Sequence, residues 1–517
     1  MPATLWIDVE DLFEYARTSP RPSGIQRLAF EIYRVLYERH GDQAHVRFVR
    51  HDHLRNSFSI VAWDEVAGLF SDLTSERPQA EAPTAAAAAV ADASGEIRPH
   101  SPLRQVARVW AHRLPVAFRV RLVDVILATQ QAVRAWGHLF GLLGRMAFRL
   151  PATLGSRLPS RRPVAMRAGS NVAAARSAAR APEPRQQSFA ALAAPDDILV
   201  TLGSAWSHPD YAALVRSQQE RFGLRFALLV YDLIPLRRPE WCDRGLVRLF
   251  RAWFESVFPL VDHLFAISRA TAADVERYAA EQGIELSVPV IPIPIGTGFS
   301  GASTAPAAVT KRLPAPGTYT LIVSTIEARK NHLLLFRVWR RMLEQLPFDE
   351  VPTLVFAGRV GWLVDDLMRQ IANTDNLNGK LVLILDPTDA ELTALYQGCL
   401  FTLYPSFFEG WGLPVTESFA FGKPCVMSNR TSLPEAGGGL ARSFDPDDLN
   451  EAYRIIVETI KDRPGLAAWE AQVRREFAPV PWSATVDALL DGLAHPHGAP
   501  ETATVGFGEA APASARS

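Results

Sequence analysis

Cysteine is nearly absent from this chain of 517 residues: Cys242, Cys399 and Cys425 stand far apart, with no Cys-x-x-Cys pair and no Cys/His spacing suited to a metal. That excludes a disulfide framework and a zinc site, and makes a reducing cytoplasm the expected compartment. Net charge is lacking too. With 54 Lys and Arg against 55 Asp and Glu, the formal charge is -1, so nothing draws the chain as a whole to nucleic acid. No uncharged apolar run is long enough to cross a bilayer, and the opening MPATLWIDVEDLFEYA has no basic region leading into an apolar core. The protein is therefore expected to be soluble or peripheral to a membrane. No repeat at a solenoid period is visible.

What the chain does have is apolar residues in short, regular blocks. At 48% hydrophobic and 21% charged, its length suffices for two or three domains with full cores. TLWIDVEDLF reads as a buried strand, RTSPRPSGIQ as a polar loop and RLAFEIYRVLYERH as a helix ending before Gly41. From DDILVTLGSAW the alternation of strand and helix resumes, through FALLVYDLIPL, GLVRLFRAWFESVFPLV, HLFAIS, RATAADVERYAAEQG and VPVIPIPIG. After the proline-rich STAPAAVTKRLPAPG, a second series runs from YTLIVST to PCVMS. Strands of this kind between helices predict parallel sheets covered on both faces. The expected architecture is α/β: two doubly wound, Rossmann-like domains facing a central cleft, with the carboxyl ends of both sheets toward it. The first spans 1–300, a linker 301–317 and the second 318–478; a helix at 479–496 packs back on the first domain, and 497–517 form a tail without fixed structure.

Three motifs suggest chemistry that their surroundings refuse. GTGFSG, 296–301, satisfies a dinucleotide pattern, but ASTAPAAV behind it opens no helix to hold a pyrophosphate. FGKP, 421–424, has proline where a phosphate loop needs the hydroxyl residue that holds magnesium. DPDD, 445–448, precedes LNEAYRIIVETI and reads as a helix cap and first-turn charge rather than a metal pair.

YPSFFEGWGLPVTESFAFGKPCV, 404–426, is different. It sets Glu409 and Glu417 on either side of Gly410, Gly412 and Pro414. Those breakers place Glu409 in a loop and Glu417 in the first turns of the helix that Pro414 starts. Two carboxylates so held fit a glycosidase pair, a nucleotide-sugar site or two solvated surface acids. VSTIEARKNHLLLF, 323–336, presents Arg329 and Lys330 where a strand passes into a helix. Two cations at the mouth of an α/β cleft suit a diphosphate, although a solvated basic turn has the same composition. A glycosidase would leave those cations idle and needs its carboxylates to flank the scissile bond, one with its pKa raised by burial.

At these residues the sequence resembles the retaining glycosyltransferases of family 4, glycosyl transferases group 1, of the GT-B fold. The resemblance lies in STIEARKNH (324–332), LVFAGRVGW (354–362) and ELTALYQGCLFTLYPSFFEGWGLPVTESFAFGKPCVMSNRTSLPEAGG (391–438), with LVYDLIPL, LFAISRATAADV and IPIPIGTGF in the first half. It covers nearly all of the second domain and about two-thirds of the first. RPSGIQR near the start resembles a subgroup of bacterial mannosyltransferase-like, polysaccharide-assembly enzymes. The resemblance implies transfer of a hexose, mannose in that subgroup, from a nucleotide diphosphate sugar to a glycan or lipid-linked glycan, with no metal or other cofactor. By the same resemblance Arg329 and Lys330 hold the donor diphosphate, Glu417 accepts the ribose hydroxyls and Glu409 hydrogen-bonds the transferred sugar. Gly410, Gly412 and Leu413 line the donor, the glycine turns letting backbone N–H groups approach, and Gly24 lies near its phosphates at the end of the first sheet. Many relatives carry histidine before the aspartate of His-Asp-Leu, whereas Tyr231 precedes Asp232 here. The expected catalytic set is thus Glu409, Asp232, Arg329 and Lys330, with His208 and Ser268 as further candidates whose plainer reading is packing or capping. A nucleotide-sugar epimerase on the same fold and a non-catalytic sugar-binding subunit stay open as alternatives.

The first domain is interrupted at about 75–195, where EAPTAAAAAVADASGE and AMRAGSNVAAARSAARAPEPRQQ are rich in alanine, proline and arginine. Between them, 103–150 is apolar and basic, Asp124 being its one acid. Arginines alternating with Trp110, Phe118, Trp136, Phe140 and Phe148 fit a helix lying on an anionic membrane surface, and equally a helical hairpin packed on the first domain. The former would make the protein peripheral on the inner face of the cytoplasmic membrane, where a lipid-linked acceptor is presented.

Overall fold

The computed structural model describes residues 3–74 apart from 20, 42–44 and 53–55, residues 188–298 apart from 209, and residues 312–495. The membrane-surface reading of 103–150 and the tail 497–517 lie outside the described residues.

The first sheet has seven strands in the order β3-β2-β1-β4-β5-β6-β7. They are β1 (Leu5–Asp8), β2 (Val46–Asp52), β3 (Ser57–Val61), β4 (Ile198–Thr201), β5 (Arg225–Val230), β6 (His263–Ala266) and β7 (Val290–Pro292). All neighbours run parallel except β2 and β3. The second sheet, wholly parallel, has the order β10-β9-β8-β11-β12-β13. Its strands are β8 (Tyr319–Val323), β9 (Thr353–Ala357), β10 (Leu381–Ile384), β11 (Thr402–Tyr404), β12 (Cys425–Ser428) and β13 (Arg442–Phe444).

The strands read as unbroken apolar runs because both faces are covered. In β5, Phe226, Leu228 and Val230 enter one apolar cluster and Ala227 and Leu229 the opposite one. In β8, Leu321 and Ile322 divide in the same way. Each large side chain so buried contributes roughly 1.5–3 kcal/mol, so the alternation fixes register on both sides at once. The order of strands reverses between β1 and β4 in the first sheet and between β8 and β11 in the second. At such a reversal the helices leave to opposite faces and open a crevice at the carboxyl ends of the strands.

The two crevices meet. Gly410, beyond β11, lies against the Tyr231 carbonyl beyond β5, and its own carbonyl accepts from Ser268 Oγ, beyond β6, at 2.7 Å. Glu435 of the second domain accepts from the Arg269 and Ala270 N–H groups at 3.0–3.4 Å, capping helix Arg269–Gln282 of the first. Arg27 pairs with Asp389 at 3.3 Å, and Arg21 donates to the Pro387 carbonyl at 3.0 Å. The architecture is GT-B: two doubly wound domains with their carboxyl ends face to face.

Helix Trp482–Ala494 returns to the first domain, where Trp482, Val486, Leu489 and Leu493 join its core. Gly296 is the seat for Trp482: a Cβ there would stand 2.3 Å from the indole, whose Nε1 donates to the Gly298 carbonyl at 2.7 Å. The glycines that imitate a dinucleotide motif thus admit a tryptophan. Asp448 caps helix Leu449–Lys461 through the Asn450 and Glu451 N–H groups, and Lys423 of FGKP pairs with Glu470 at 3.0 Å.

Two expectations need correction. The strand read across TLWIDVEDLF stops at Asp8, and Glu10–Thr18 form a helix. Leu12 faces the core with Phe13 and Ala16 beside it, a helical spacing, and Glu10 and Asp11 suit a first turn. The interruption of the first domain also ends earlier than 195. Phe189 is buried edge-on against Trp6 at 4.8 Å, so 188–195 belong to the domain. Among the described residues, no helix is long and apolar enough to cross a membrane.

Candidate active site

The two central strands of the second sheet deliver the charged residues. After β8 the chain bridges Ile326 to Val360, winds through Ala328–Lys330 and turns at Asn331, whose φ is 58°. Asn331 Nδ2 donates to the Pro405 and Pro446 carbonyls at 3.3 and 3.1 Å, tying this turn to the exit of β11. Arg329 and Lys330 are thereby held over the loop that carries Glu409. That loop ends at Gly412, with φ 119°, which starts helix Leu413–Ala420. A Cβ at Gly412 would also stand 2.6 Å from Leu433, so conformation and space both require glycine there.

Glu409 is the hub. One carboxylate oxygen, Oε1, accepts from Lys330 Nζ at 2.6 Å, Ser406 Oγ at 2.6 Å and the Tyr404 hydroxyl at 3.1 Å. The other, Oε2, faces Arg329 Nη1 at 2.9 Å. Arg329 also reaches the Phe408 carbonyl at 2.5 Å and Glu327 at 2.6 Å. Glu409 is only 8% exposed. Burial alone would raise its pKa, but Arg329 and then Lys330 outweigh it and hold the carboxyl down at about 2. For Arg329 burial acts downward, and Glu409 with Glu327 carries its pKa above the ordinary value. Glu409 is thus a fixed anion that pre-aligns two cations at the sheet's switch point.

Glu417 stands one turn into the next helix and accepts from the Tyr396 hydroxyl at 2.7 Å. Burial raises its pKa, opposed by that hydrogen bond and by the charge of Arg27 from the first domain. Gly24 faces Leu413 across the cleft, a Cβ there lying 3.7 Å from Leu413 Cδ1. Arg27, one turn beyond Gly24 on the same helix, adds a cation on this side. Asp232 is part-buried, and its Oδ1 accepts from the Ile234 N–H at 3.0 Å. Burial raises its pKa, while Arg329 and Lys330 pull it down, which places it within the field of the cation pair.

The structure therefore gathers Arg329, Lys330 and Glu409 in one cluster, brings Asp232 within its field, sets Gly24 against Leu413, and puts Glu417 within the field of Arg27. It gives Gly410 a different setting, as the seam between domains. Tyr231, in place of the histidine of relatives, is buried, and its hydroxyl donates to the Leu202 carbonyl at 2.5 Å. Ser268 caps its helix and bridges to Gly410, and His208 lies away from the cluster beside His51, ring centres 4.7 Å apart. Sequence reasoning missed Tyr396, Tyr404 and Ser406; all three stand near Glu409 and Glu417 in the chain, but strand and helix interior positions disguise the two tyrosines as core.

Residues 310–468 match the family glycosyl transferases group 1. The serotype-specific mannosyltransferase WbdA of Escherichia coli is 25% identical over 319 residues, 58% of this chain and 37% of the relative. The O-antigen chain mannosyltransferase B of Escherichia coli is 33% identical over 147 residues, 28% of this chain and 37% of the relative. The chain thus spans little more than a third of the length of either. Among solved structures, an alpha,alpha-trehalose-phosphate synthase (UDP-forming) from Burkholderia vietnamiensis aligns over 59% of this chain and 73% of its own, at 15% identity and a TM-score of 0.44. The chain resembles glycosyltransferases, mannosyltransferases among them.

Proposed function

We propose that the protein is a retaining glycosyltransferase that moves a hexose, mannose by analogy with its relatives, from a nucleoside diphosphate sugar onto a glycan or lipid-linked glycan in polysaccharide assembly. The observation that carries this reading is the Arg329–Lys330–Glu409 cluster at the β8/β11 switch point, facing the first domain. A diphosphate leaving group needs positive charge rather than a general acid, and pre-aligned cations stabilise it as the bond to the sugar breaks. Arg329 and Lys330 supply that charge. Glu417 and Glu409 accept from ribose and hexose hydroxyls.

In the proposed step the acceptor hydroxyl approaches the anomeric carbon from the leaving-group side. The bond from that carbon to the phosphate oxygen breaks, the bond to the acceptor oxygen forms, and the acceptor's proton passes to the departing phosphate. Asp232 lines the path on the first-domain side and orients the acceptor. Such a reaction runs on positioning and electrostatics, without a metal. Localisation follows the acceptor: the cytoplasmic face of a membrane if it is lipid-linked.

Proton NMR of the product tests the stereochemistry. An α-linked donor is expected to give an α-linked product; a β product contradicts retention. Conversion of the nucleotide sugar to its epimer in the absence of any acceptor would point to the epimerase instead.

A further inference from the structure

The turn that carries Arg329 and Lys330 is flanked by two aromatic residues of its own domain, and both reach one residue of the other domain. On one flank lies the loop after β9. The Ile326 N–H donates to the Arg359 carbonyl and the Gly361 N–H to the Ile326 carbonyl, each at 2.8 Å, and the Ala328 N–H donates to the Trp362 carbonyl at 3.4 Å. A Cβ at Gly361 would stand 2.8 Å from Thr325 Cγ2 and 3.2 Å from the Ile326 carbonyl oxygen, so the loop lies flat against the turn. On the other flank the Phe407 N–H donates to the Arg329 carbonyl at 3.0 Å. Main-chain bonds thus hold Trp362, the cation turn and Phe407 as one unit.

Trp241 of the first domain meets both flanks. Its ring stacks on Phe407, with centres 5.4 Å apart and planes 15° from parallel, and its carbonyl accepts from Trp362 Nε1 at 2.6 Å. Arg238 lies over the same ring at 4.0 Å and pairs with Glu240 at 2.6 Å. Trp362 is 50% exposed, so no core fixes its indole, and the bond to Trp241 gives it a direction. The seam at Gly410, the Glu435 cap and the Arg27–Asp389 pair join the domains at residues other than 324–331. Trp241 is bonded to the two segments that hold this turn.

We propose that Trp241 is a positioning residue: through Phe407 and Trp362 it latches the cation turn to the first domain, so that Arg329 and Lys330 are aligned when the domains are together. A turn ordered in advance spares the bound complex the cost of ordering it. The bearing of the latch on the reaction rests on the glycosyl-transfer reading above; the latch itself does not.

Hydrogen–deuterium exchange on the full chain tests the latch without any ligand. In Trp241→Ala, peptides covering 324–331 and 405–409 should exchange about tenfold faster than in the unaltered protein, the scale of one good aromatic contact. Helix Leu449–Lys461 should exchange as before. Trp241→Phe keeps a ring for Phe407 and the carbonyl for Trp362, and should restore the slow exchange. Nucleotide affinity is read in parallel with GDP, UDP, ADP and TDP. The one that stabilises the unaltered protein should bind about tenfold more weakly to Trp241→Ala, and normally to Trp241→Phe. In an Arg329→Ala background the Trp241 change should cost less than it does alone, because the residue it positions is gone. A merely structural role would cost the same in both backgrounds.

Unchanged exchange of 324–331 in Trp241→Ala overturns the latch; unchanged nucleotide affinity, or fully additive losses in the double variant, overturns the positioning role. Should Trp241→Ala fail to fold, Trp362→Phe decides, since it keeps an aromatic ring but removes the indole N–H: faster exchange of 324–331 supports the latch and wild-type exchange overturns it. Absence of any nucleotide shift in the unaltered protein removes the transfer reading, and the exchange measurement then decides the latch by itself.

Discussion

Arg329→Ala is expected to lower kcat/KM by on the order of 10²–10³, the usual cost of removing one pre-aligned charge from a developing anion. The same change acts on the protein without substrate. Glu409 is buried and keeps Lys330, Ser406 and Tyr404 in the variant but loses its bond to Arg329. The native carboxyl titrates at about 2 against an ordinary 4.5. A depressed carboxylate contributes stability that is complete above the ordinary value and is lost as pH falls through the folded one; here that is of order 3 kcal/mol. Without Arg329 the folded value moves back up, so acid unfolding of the variant should begin at higher pH than that of the wild type. Circular dichroism across pH 5 to 2 reads the stability, and initial rates read the chemistry. Wild-type turnover by Arg329→Ala would remove the cation pair from the mechanism.

Gly410→Ala should be comparably severe for a different reason. Its Cβ would stand 2.0 Å from the Tyr231 carbonyl oxygen and 3.1 Å from Asp232 Cβ. Backbone cannot yield as a flexible side chain does, so the two domains must separate at the seam. Overpacking of this kind costs typically 1–3 kcal/mol, and a misplacement of about 1 Å at a reacting centre costs roughly 10² in rate. Calorimetry and kcat/KM should therefore fall together. Gly439→Ala serves as the control, since nothing lies within 4 Å of a Cβ there. Equal behaviour of the two variants would contradict the close seam.

The cluster of Arg329, Lys330 and Glu409 was legible in the sequence because each part of it is local. Arg329 and Lys330 follow one strand, where an apolar run gives way to charge before the next helix, and Glu409 follows another, in a loop that Pro405, Gly410, Gly412 and Pro414 announce; one sheet brings the two segments side by side. The alternation of strands and helices was legible for the same physical reason that it forms: both faces of each sheet are buried, so strands are apolar throughout. The antiparallel edge was not, because VRFVRHD mixes charge into β2 where Arg50 and His51 turn toward Glu10 and Asp8. The helix Glu10–Thr18 was hidden by the apolar strand it continues. Least legible was the acidic cavity that Asp8, Glu10 and Asp11 line in the first domain. Tyr211 and Asp8 are 203 residues apart and meet only because β4 lies beside β1. No spacing within the chain carries that adjacency; the crossover of the sheet creates it.

The central claim is that the cluster beyond β8 and β11 holds a nucleoside diphosphate. Its most direct test is a melting-temperature titration of the full chain with GDP, UDP, ADP, TDP and their sugars, with and without EDTA. One base should stabilise the protein selectively, by about 2.7 kcal/mol at a hundredfold excess over Kd, equally in the presence of EDTA. No shift with any nucleotide, or a shift that EDTA abolishes, would contradict the account of a metal-free diphosphate site built from Arg329, Lys330 and Glu409.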